Sequence, residues 1–501
     1  MAKFTYQDLK RKPEGTAGLR VLFGIGEIPD IIAYQGFTFL IFTFYSAVMR
    51  VDINAITVVY IIWTLWNSFN DVIFGTLSDR TRLKKFLGGG RRRPYMISMV
   101  IPLSVIMVLL FTCPITNVGS GPTETGLVMF TIGGVEFTIQ SLYMLLVMIF
   151  FDTIYTMYSI NHTSLYPEMF ITHKAREKAG TMRRVLMVVG LLVAFAVPTF
   201  LVDKYIPDEA TPEDFTTALF QYRIAGIIFG VLIFITILIH VIWGVREPPY
   251  EEIQKKENLS WKESFKHTIK NRNFMIFILA SSMNWFVFGM VPMIFPAYGQ
   301  IVLTNIPDIM GFDIGFKVTL ILLILFLVSI PGVFFWSWLD KKIGSKEAFL
   351  VNMITWAVCF IPLFFLTNYI AVLFVFIIMG IIFGGPPYFI DRNISNIVDE
   401  DELRTGQRRE ASFYGVHAFI IRLATILNIL SVNFIFTFNG WGDLVEAAQG
   451  TQPFGIQMLM SAFPLGAMII GIIFLSFYKI GKKQSDELQL KMKELHTELT
   501  D

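Results

Sequence analysis

The stretch Asn67–Tyr95, NSFNDVIFGTLSDRTRLKKFLGGGRRRPY, runs from a polar cluster along an apolar helix into a loop, with seven Lys and Arg at its far end. Asn67, Asn70 and Asp71 stand at i, i+3 and i+4, so they share one helix face. An ionisable side chain inside a membrane span is costly and marks an ion or substrate path. Arg80, Arg82, Lys84, Lys85, Arg91, Arg92 and Arg93 follow, a density of positive charge that keeps a loop cytoplasmic.

Outward from this segment the chain is uniformly apolar. Of its 501 residues 54% are hydrophobic and 16% charged, against about 25% charged in a soluble domain. Apolar runs of about 20 residues recur, and lipid offers no partner for open backbone. The expected fold class is an all-α polytopic membrane protein with twelve transmembrane helices, near 20–48, 53–77, 95–114, 140–162, 183–203, 222–244, 273–299, 316–339, 347–366, 370–394, 411–438 and 455–479. Loops 78–94, 163–182, 245–272, 340–346 and 395–410 each carry several cations, whereas 115–139, 300–315 and 439–454 carry none. That asymmetry places both termini in the cytoplasm and the chain in the cell membrane. The N-terminal MAKFTYQDLKRKPEG is polar and basic, without a cleavable signal. A net charge of +2 gives no reason to expect nucleic acid as a partner. Cys113 and Cys359 both sit in apolar runs and read as core residues.

The charged, proline-containing stretch 246–272 divides the chain at its midpoint. The expected organisation is a cytoplasmic segment 1–19, a six-helix bundle 20–245, a linker 246–272, a second six-helix bundle 273–480 and an amphipathic tail 481–501. A weak repeat supports two pseudo-repeats. GTLSDRTR (Gly75–Arg82) and WSWLDKKIG (Trp336–Gly344) both place an Asp before cations at a helix end. Glu168…Arg176–Glu177 is echoed by Glu402…Arg409–Glu410. Carriers built from two repeats bind substrate and coupling ion near the membrane midplane.

GTLSDR followed by GRRRPY resembles the loop between helices 2 and 3 of the major facilitator superfamily. Within it, the pattern is most similar to the glycoside–pentoside–hexuronide:cation symporters, the melibiose-permease-like group. DTIYTMYSINHTSLYPEM (Asp152–Met169) is similar to that family's fourth helix, REKAGTMRRVLMVVG (Arg176–Gly190) to its fifth-helix entry, and DEDELRTGQRREASFYGVHAFIIR (Asp399–Arg422) to its loop between helices 10 and 11. The resemblance implies a cation site between helices 2 and 4, built from Asp71, Asn67, Asn70 and Thr156. Asn67 is an amide where the sugar-carrying type has an acid, and Asp152, one turn before Thr156, either supplies the missing charge or acts as a bond partner within the bundle. The coupling ion is Na⁺, Li⁺ or H⁺: hard oxygens suit Na⁺, and a buried lone Asp suits a proton. No other metal or cofactor is expected.

Glu27 and Asp30 flank Pro29 in the first span, and two acids in one span are expected to face a cavity. Ser159 and Thr163 continue the polar face of helix 4, at positions where the sugar-carrying type has an acid and a Trp that contact sugar. Arg184 and Arg422 match cationic family positions that line the site, with His417 nearby as a further donor or as a satisfied core residue. These seven are the candidate substrate residues. Gly75, Asp79, Arg80, Arg91, Arg92, Glu402, Arg409 and Glu410 form the cytoplasmic motif. Gly75 there permits close helix approach, and Asp79 either holds a gate by ion pairs or accompanies a topology signal.

The function expected is cation-coupled symport of a glycoside, sugar or hexuronide by alternating access, in a monomer embedded in lipid. Two other readings stay open: symport of a lysolipid or other organic solute, and a non-transporting sensor on the same fold. The sequence has no metal-spaced His/Cys cluster, P-loop or G-x-S-x-G elbow, so an enzyme is not expected.

Overall fold

The computed structural model describes residues 15–80, 92–113, 128–170, 172–208, 211–247, 268–309, 311–405, 410–450 and 453–498. Its helices are α1 (Ala17–Gly24), α2 (Glu27–Thr43), α3 (Ile53–Arg80), α4 (Arg93–Ser98), α5 (Val100–Leu109), α6 (Ile139–Met169), α7 (His173–Leu201), α8 (Pro212–Ile239), α9 (Arg272–Ala297), α10 (Ile314–Ile343), α11 (Ser345–Leu363), α12 (Tyr369–Phe383), α13 (Pro386–Thr405), α14 (Glu410–Asn439), α15 (Leu444–Gln449), α16 (Phe454–Met460), α17 (Ala462–Ser476) and α18 (Lys482–Glu498). Among the described residues, ten helical stretches are long and apolar enough to cross a membrane. With α3 and the apolar α4–α5 stretch Arg93–Leu109 they make the twelve-helix arrangement of a multi-pass membrane protein.

Local chemistry sets the helix starts. Thr16, Thr138, Thr172, Asn271 and Asn368 each accept a backbone N–H from the first turn that follows, at 3.1–3.3 Å, which satisfies donors a helix N-terminus leaves open. Gly344, at φ +99°, allows the tight turn from α10 into α11. Gly226 and Gly230 let α8 lie against α5: a Cβ there would stand 2.7 Å from the Met107 carbonyl and 2.6 Å from that of Ser104. By contrast, a Cβ on Gly75 would meet nothing within 4 Å among the described residues.

Three regions read as loops contain structure. Val128–Ile132 (β1) and Val135–Thr138 (β2) form an antiparallel hairpin. Its turn is Gly133–Gly134, at φ +60° and +84°, the left-handed pair a two-residue hairpin requires. α13 continues to Thr405, well into the expected loop 395–410, after a break at Gly384–Gly385. The loop after α14 folds into α15, capped by Asp443, whose Oδ1 accepts the Val445 and Glu446 amides at 2.9 and 3.0 Å.

The chain divides into two compact units. The first comprises 1–256, 312–319 and 441–449, and the second the remainder. In the first, α3 packs on α6, α2 on α7, α1 on α7 and α5 on α8. In the second, α9 and α11 pack on α17, and α14 on α9. The tail helix α18 lies on α13, where Ser485 Oγ donates to Asn396 Oδ1 at 3.2 Å, and its Lys482 Nζ donates to the Lys342 carbonyl at the end of α10 at 2.7 Å.

Candidate functional site

A ladder of polar pairs crosses between α3 and α6. Trp66 Nε1 donates to Thr153 Oγ1 at 3.0 Å. One turn on, Asn70 Nδ2 donates both to the Asp152 carbonyl at 3.0 Å and to its Oδ2 at 2.9 Å. Thr156 Oγ1 donates to Asp71 Oδ1 at 3.2 Å, and Ser78 hydroxyl donates to Asn161 Oδ1. Asn67, Asn70, Asp152 and Thr156 are buried and Asp71 is partly so. The sequence spacing explains the ladder: residues three and four apart on each helix present polar groups to the neighbour at each turn.

Asn70 Oδ1 is buried and has no hydrogen-bond partner among the described residues. A buried carbonyl left unbonded costs about 1–3 kcal/mol, and hydroxyl, amide and carboxylate groups line this stretch of α3 and α6. Oxygen-only donors of this kind suit a hard monovalent cation. The five residues expected to hold the ion therefore fall at one packed interface, α3 against α6.

The expected substrate residues are spread more widely. Asp30 and Ser159 lie side by side, with Tyr155 next to Ser159. Asp30 Oδ1 is buried and has no hydrogen-bond partner among the described residues. Tyr34 stacks on Tyr155, centroids 5.5 Å apart. Thr163 and Arg184 are exposed. Arg183, not Arg184, turns inward, and its Nε donates to Glu27 Oε1 while its guanidinium lies 4.6 Å over the Tyr166 ring. One residue is a rotation of about 100° on a helix, enough to leave Arg184 exposed while Arg183 turns inward. His417 and Arg422 belong to the second unit. His417 Nε2 lies 2.9 Å from Ser281 Oγ, a partnered core histidine, and Arg422 is half-buried.

Of the motif residues, Arg92 is buried. It donates through two nitrogens to Glu168 Oε1 at 2.7 and 3.0 Å, and its backbone N–H donates to Glu247 Oε1 at 2.8 Å. Asp79 and Arg80 end α3 and Glu410 opens α14. Glu402 is half-buried on α13. Arg91 and Arg409 lie outside the described residues.

Sequence reasoning missed His162 and His240. His162 Nε2 lies 3.0 Å from Glu27 Oε1, and its Nδ1 lies 3.1 Å from His240 Nε2. His240 Nδ1 contacts the Leu22 carbonyl at 3.3 Å. Both rings are fully buried. His240 opens a π-helical turn, His240–Gly244, a distortion frequent at functional sites. The available signal was an acid in the first span that needed partners, with His162 already inside the quoted helix-4 motif.

Residues 22–482 match the family model described as MFS/sugar transport protein. The sodium-dependent lysophosphatidylcholine symporter 1-A of Danio rerio is 23% identical, over 97% of this chain and 90% of its own length. The sphingosine-1-phosphate transporter MFSD2B of Xenopus tropicalis is 21% identical, over 94% and 90%. Among solved structures, the nucleoside transporter NupG superposes with a TM-score of 0.60 at 13% identity, covering 92% of this chain and 99% of that one. A bacterial homolog of the human lysosomal transporter Spinster gives 0.60 at 14%, covering 95% and 99%; at these identities the likeness is one of fold. The two sequence relatives are named for lipids, so they do not confirm the narrower melibiose-permease-like reading or its sugar substrate. The family match, the twelve-helix fold and the transporter relatives agree at the broader level: the chain belongs to the MFS/sugar transport protein family, as a membrane transporter.

Proposed function

We propose that this transporter couples Na⁺ to the symport of a single-chain amphiphile of the lysolipid class. The observation that carries the coupling is the oxygen cluster between α3 and α6, with Asp71 bonded to Thr156 and Asn70 Oδ1 left open. The carboxylates of Asp71 and Asp152 with neutral oxygens around them are a donor set suited to a hard cation such as Na⁺. The amphiphile is supported by relatives named for lysophosphatidylcholine and sphingosine-1-phosphate. It is supported also by Ser159 and Thr163, which replace the acid and Trp expected of a sugar carrier. The glycoside or hexuronide reading is the second one, favoured by the family's description and by the buried Asp30–Ser159 pair, which suits a hydroxylated solute.

Thermal unfolding of the purified protein in detergent tests this, with lysophosphatidylcholine, a glycoside panel and uronates, each in Na⁺ and in choline. A ligand at 100 times its Kd stabilises by about 2.7 kcal/mol. The expected result is stabilisation by lysophosphatidylcholine that is larger in Na⁺, with the Na⁺ dependence abolished in Asp71→Asn. Na⁺-dependent stabilisation by a glycoside or uronate alone would overturn the lipid reading. A response to lipid that ignores Na⁺ would overturn the coupling.

A further inference from the structure

The chain Leu22 carbonyl, His240, His162, Glu27 is a row of three contacts whose protons can be counted. The Leu22 carbonyl only accepts, so a bond there requires a proton on His240 Nδ1. A neutral His240 then offers a lone pair at Nε2, and its 3.1 Å contact needs a proton on His162 Nδ1. A neutral His162 with that proton offers a lone pair at Nε2, which faces Glu27 Oε1 at 3.0 Å. With Glu27 ionised, two acceptors meet. Reversing both tautomers bonds His162 Nε2–H to Glu27 and moves the mismatch to the Leu22 end. Two neutral imidazoles and a carboxylate thus always leave one of the three contacts open. All three close only when one more proton is held, as an imidazolium at His162 or His240 or as a Glu27 carboxylic acid.

Charge points the same way. Facing this row are Asp30 on α2, Arg183 on α7, and Tyr158 and Tyr166 on α6. Arg184 and Arg176 lie beyond, toward Tyr166. Tyr158 hydroxyl donates to the Gly26 carbonyl at 2.9 Å and Tyr166 hydroxyl to that of Arg176 at 2.5 Å, so both act as neutral donors. Two carboxylates, Glu27 and Asp30, then stand against the single inward arginine. One extra proton balances them. Space for the paired rings is built in, because a Cβ on Gly26 would lie 2.6 Å from His162 and 2.8 Å from His240.

We propose that Glu27, His162 and His240 form a binding site for one exchangeable proton, a second cation site apart from the oxygen cluster of Asn70, Asp71, Asp152 and Thr156. The proton enters at one end of the row, and reversal of the tautomers shifts the open contact to the other end, so no group outside the row changes its proton count. Nothing in this depends on which solute the carrier takes.

The chain has six histidines, few enough for ring-nitrogen NMR on the full-length protein labelled only at His, in nanodiscs. His162→Asn and His240→Asn assign the two rings. Glu27→Gln is the decisive variant, since it keeps an oxygen to accept from Arg183 and removes the negative charge that holds the extra proton on the row. A wild-type series from about pH 5 to 8, the interval in which an unperturbed histidine changes charge, should shift the His162 and His240 nitrogens together by one proton. In Glu27→Gln they should hold the neutral pattern throughout. Unchanged neutral rings across that range in the wild type would overturn the proposal, as would titration that persists unaltered in Glu27→Gln. If an assignment variant does not fold, the comparison of wild type with Glu27→Gln still decides the matter, because the coupled pair is the one whose shifts the substitution removes.

Discussion

Asn70 is wholly buried and uses its side chain on one side only. Its amide N–H₂ holds Asp152 by two bonds while its oxygen stays unbonded. Replacing it with Ala removes donors from a buried carboxylate and leaves a small void, which costs about 1–3 kcal/mol. Stabilisation by Na⁺ should fall as well, and unfolding in Na⁺ against choline reads both effects. Asp71→Asn should separate them: an Asn oxygen still accepts from Thr156, so stability in choline should change little while the Na⁺ increment disappears. Full Na⁺ stabilisation in both variants would remove the ion from this interface. Glycines give a second contrast at this scale. Gly26 has an ordinary helical φ of −61°, so only space forbids a side chain there. Gly26→Ala should lower stability by about 1–3 kcal/mol through forced displacement of the histidine rings, whereas Gly75→Ala, with nothing within 4 Å, should leave the melting temperature in place.

Among the elements, the short helix α15 shows how a buried charge answers to pH. Asp443 caps it, and its Oδ2 accepts from the Arg50 guanidinium, on a residue at φ +53° in the turn after the first span. Burial nevertheless pushes the Asp443 carboxyl above the ordinary carboxylate range, outweighing the Glu446 amide and Arg50. The fold therefore favours the protonated acid, and the stability this group contributes is present at acid pH and lost as pH rises through its folded value. As pH falls from neutral into the carboxylate range, the wild type should gain melting temperature relative to Asp443→Asn. A loss instead would mean that the Arg50 pair dominates. None of this was legible in sequence, where 439–454 reads as a polar loop. What could be read was what repeats along the chain: apolar runs, loop charge, and polar residues three or four apart on α3 and α6. The Gly133–Gly134 turn was readable too, since VMFTI and VEFT flank a glycine pair. Contacts that join distant spans were hidden. His240 lies 78 residues from His162, and neither has a periodic neighbour to betray it. The choice of Arg183 over Arg184 turns on helix rotation alone, finer than a boundary read from hydropathy.

For the molecule as a whole, an ion cluster between two helices matters only if its occupancy changes the affinity for the solute. Linkage makes that claim quantitative. If Na⁺ tightens lysophosphatidylcholine binding by some factor, lysophosphatidylcholine must tighten Na⁺ binding by the same factor, and couplings of this kind run to about 5–150-fold, or about 1–3 kcal/mol. Titrating each ligand at fixed concentrations of the other should return one common factor for the wild type. For Asp71→Asn that factor should collapse to about one, with the intrinsic lipid affinity in choline unchanged, because Asp71 belongs to the proposed ion cluster, bonded to Thr156 across α3 and α6. Glu27→Gln should behave differently. It leaves the oxygen cluster intact, so the Na⁺–lipid factor should persist while any dependence of lipid binding on pH is lost. Loss of the Na⁺ factor in Glu27→Gln would merge the two cation sites into one. Its survival there, with loss in Asp71→Asn, would show two sites of separate chemistry acting within a single carrier.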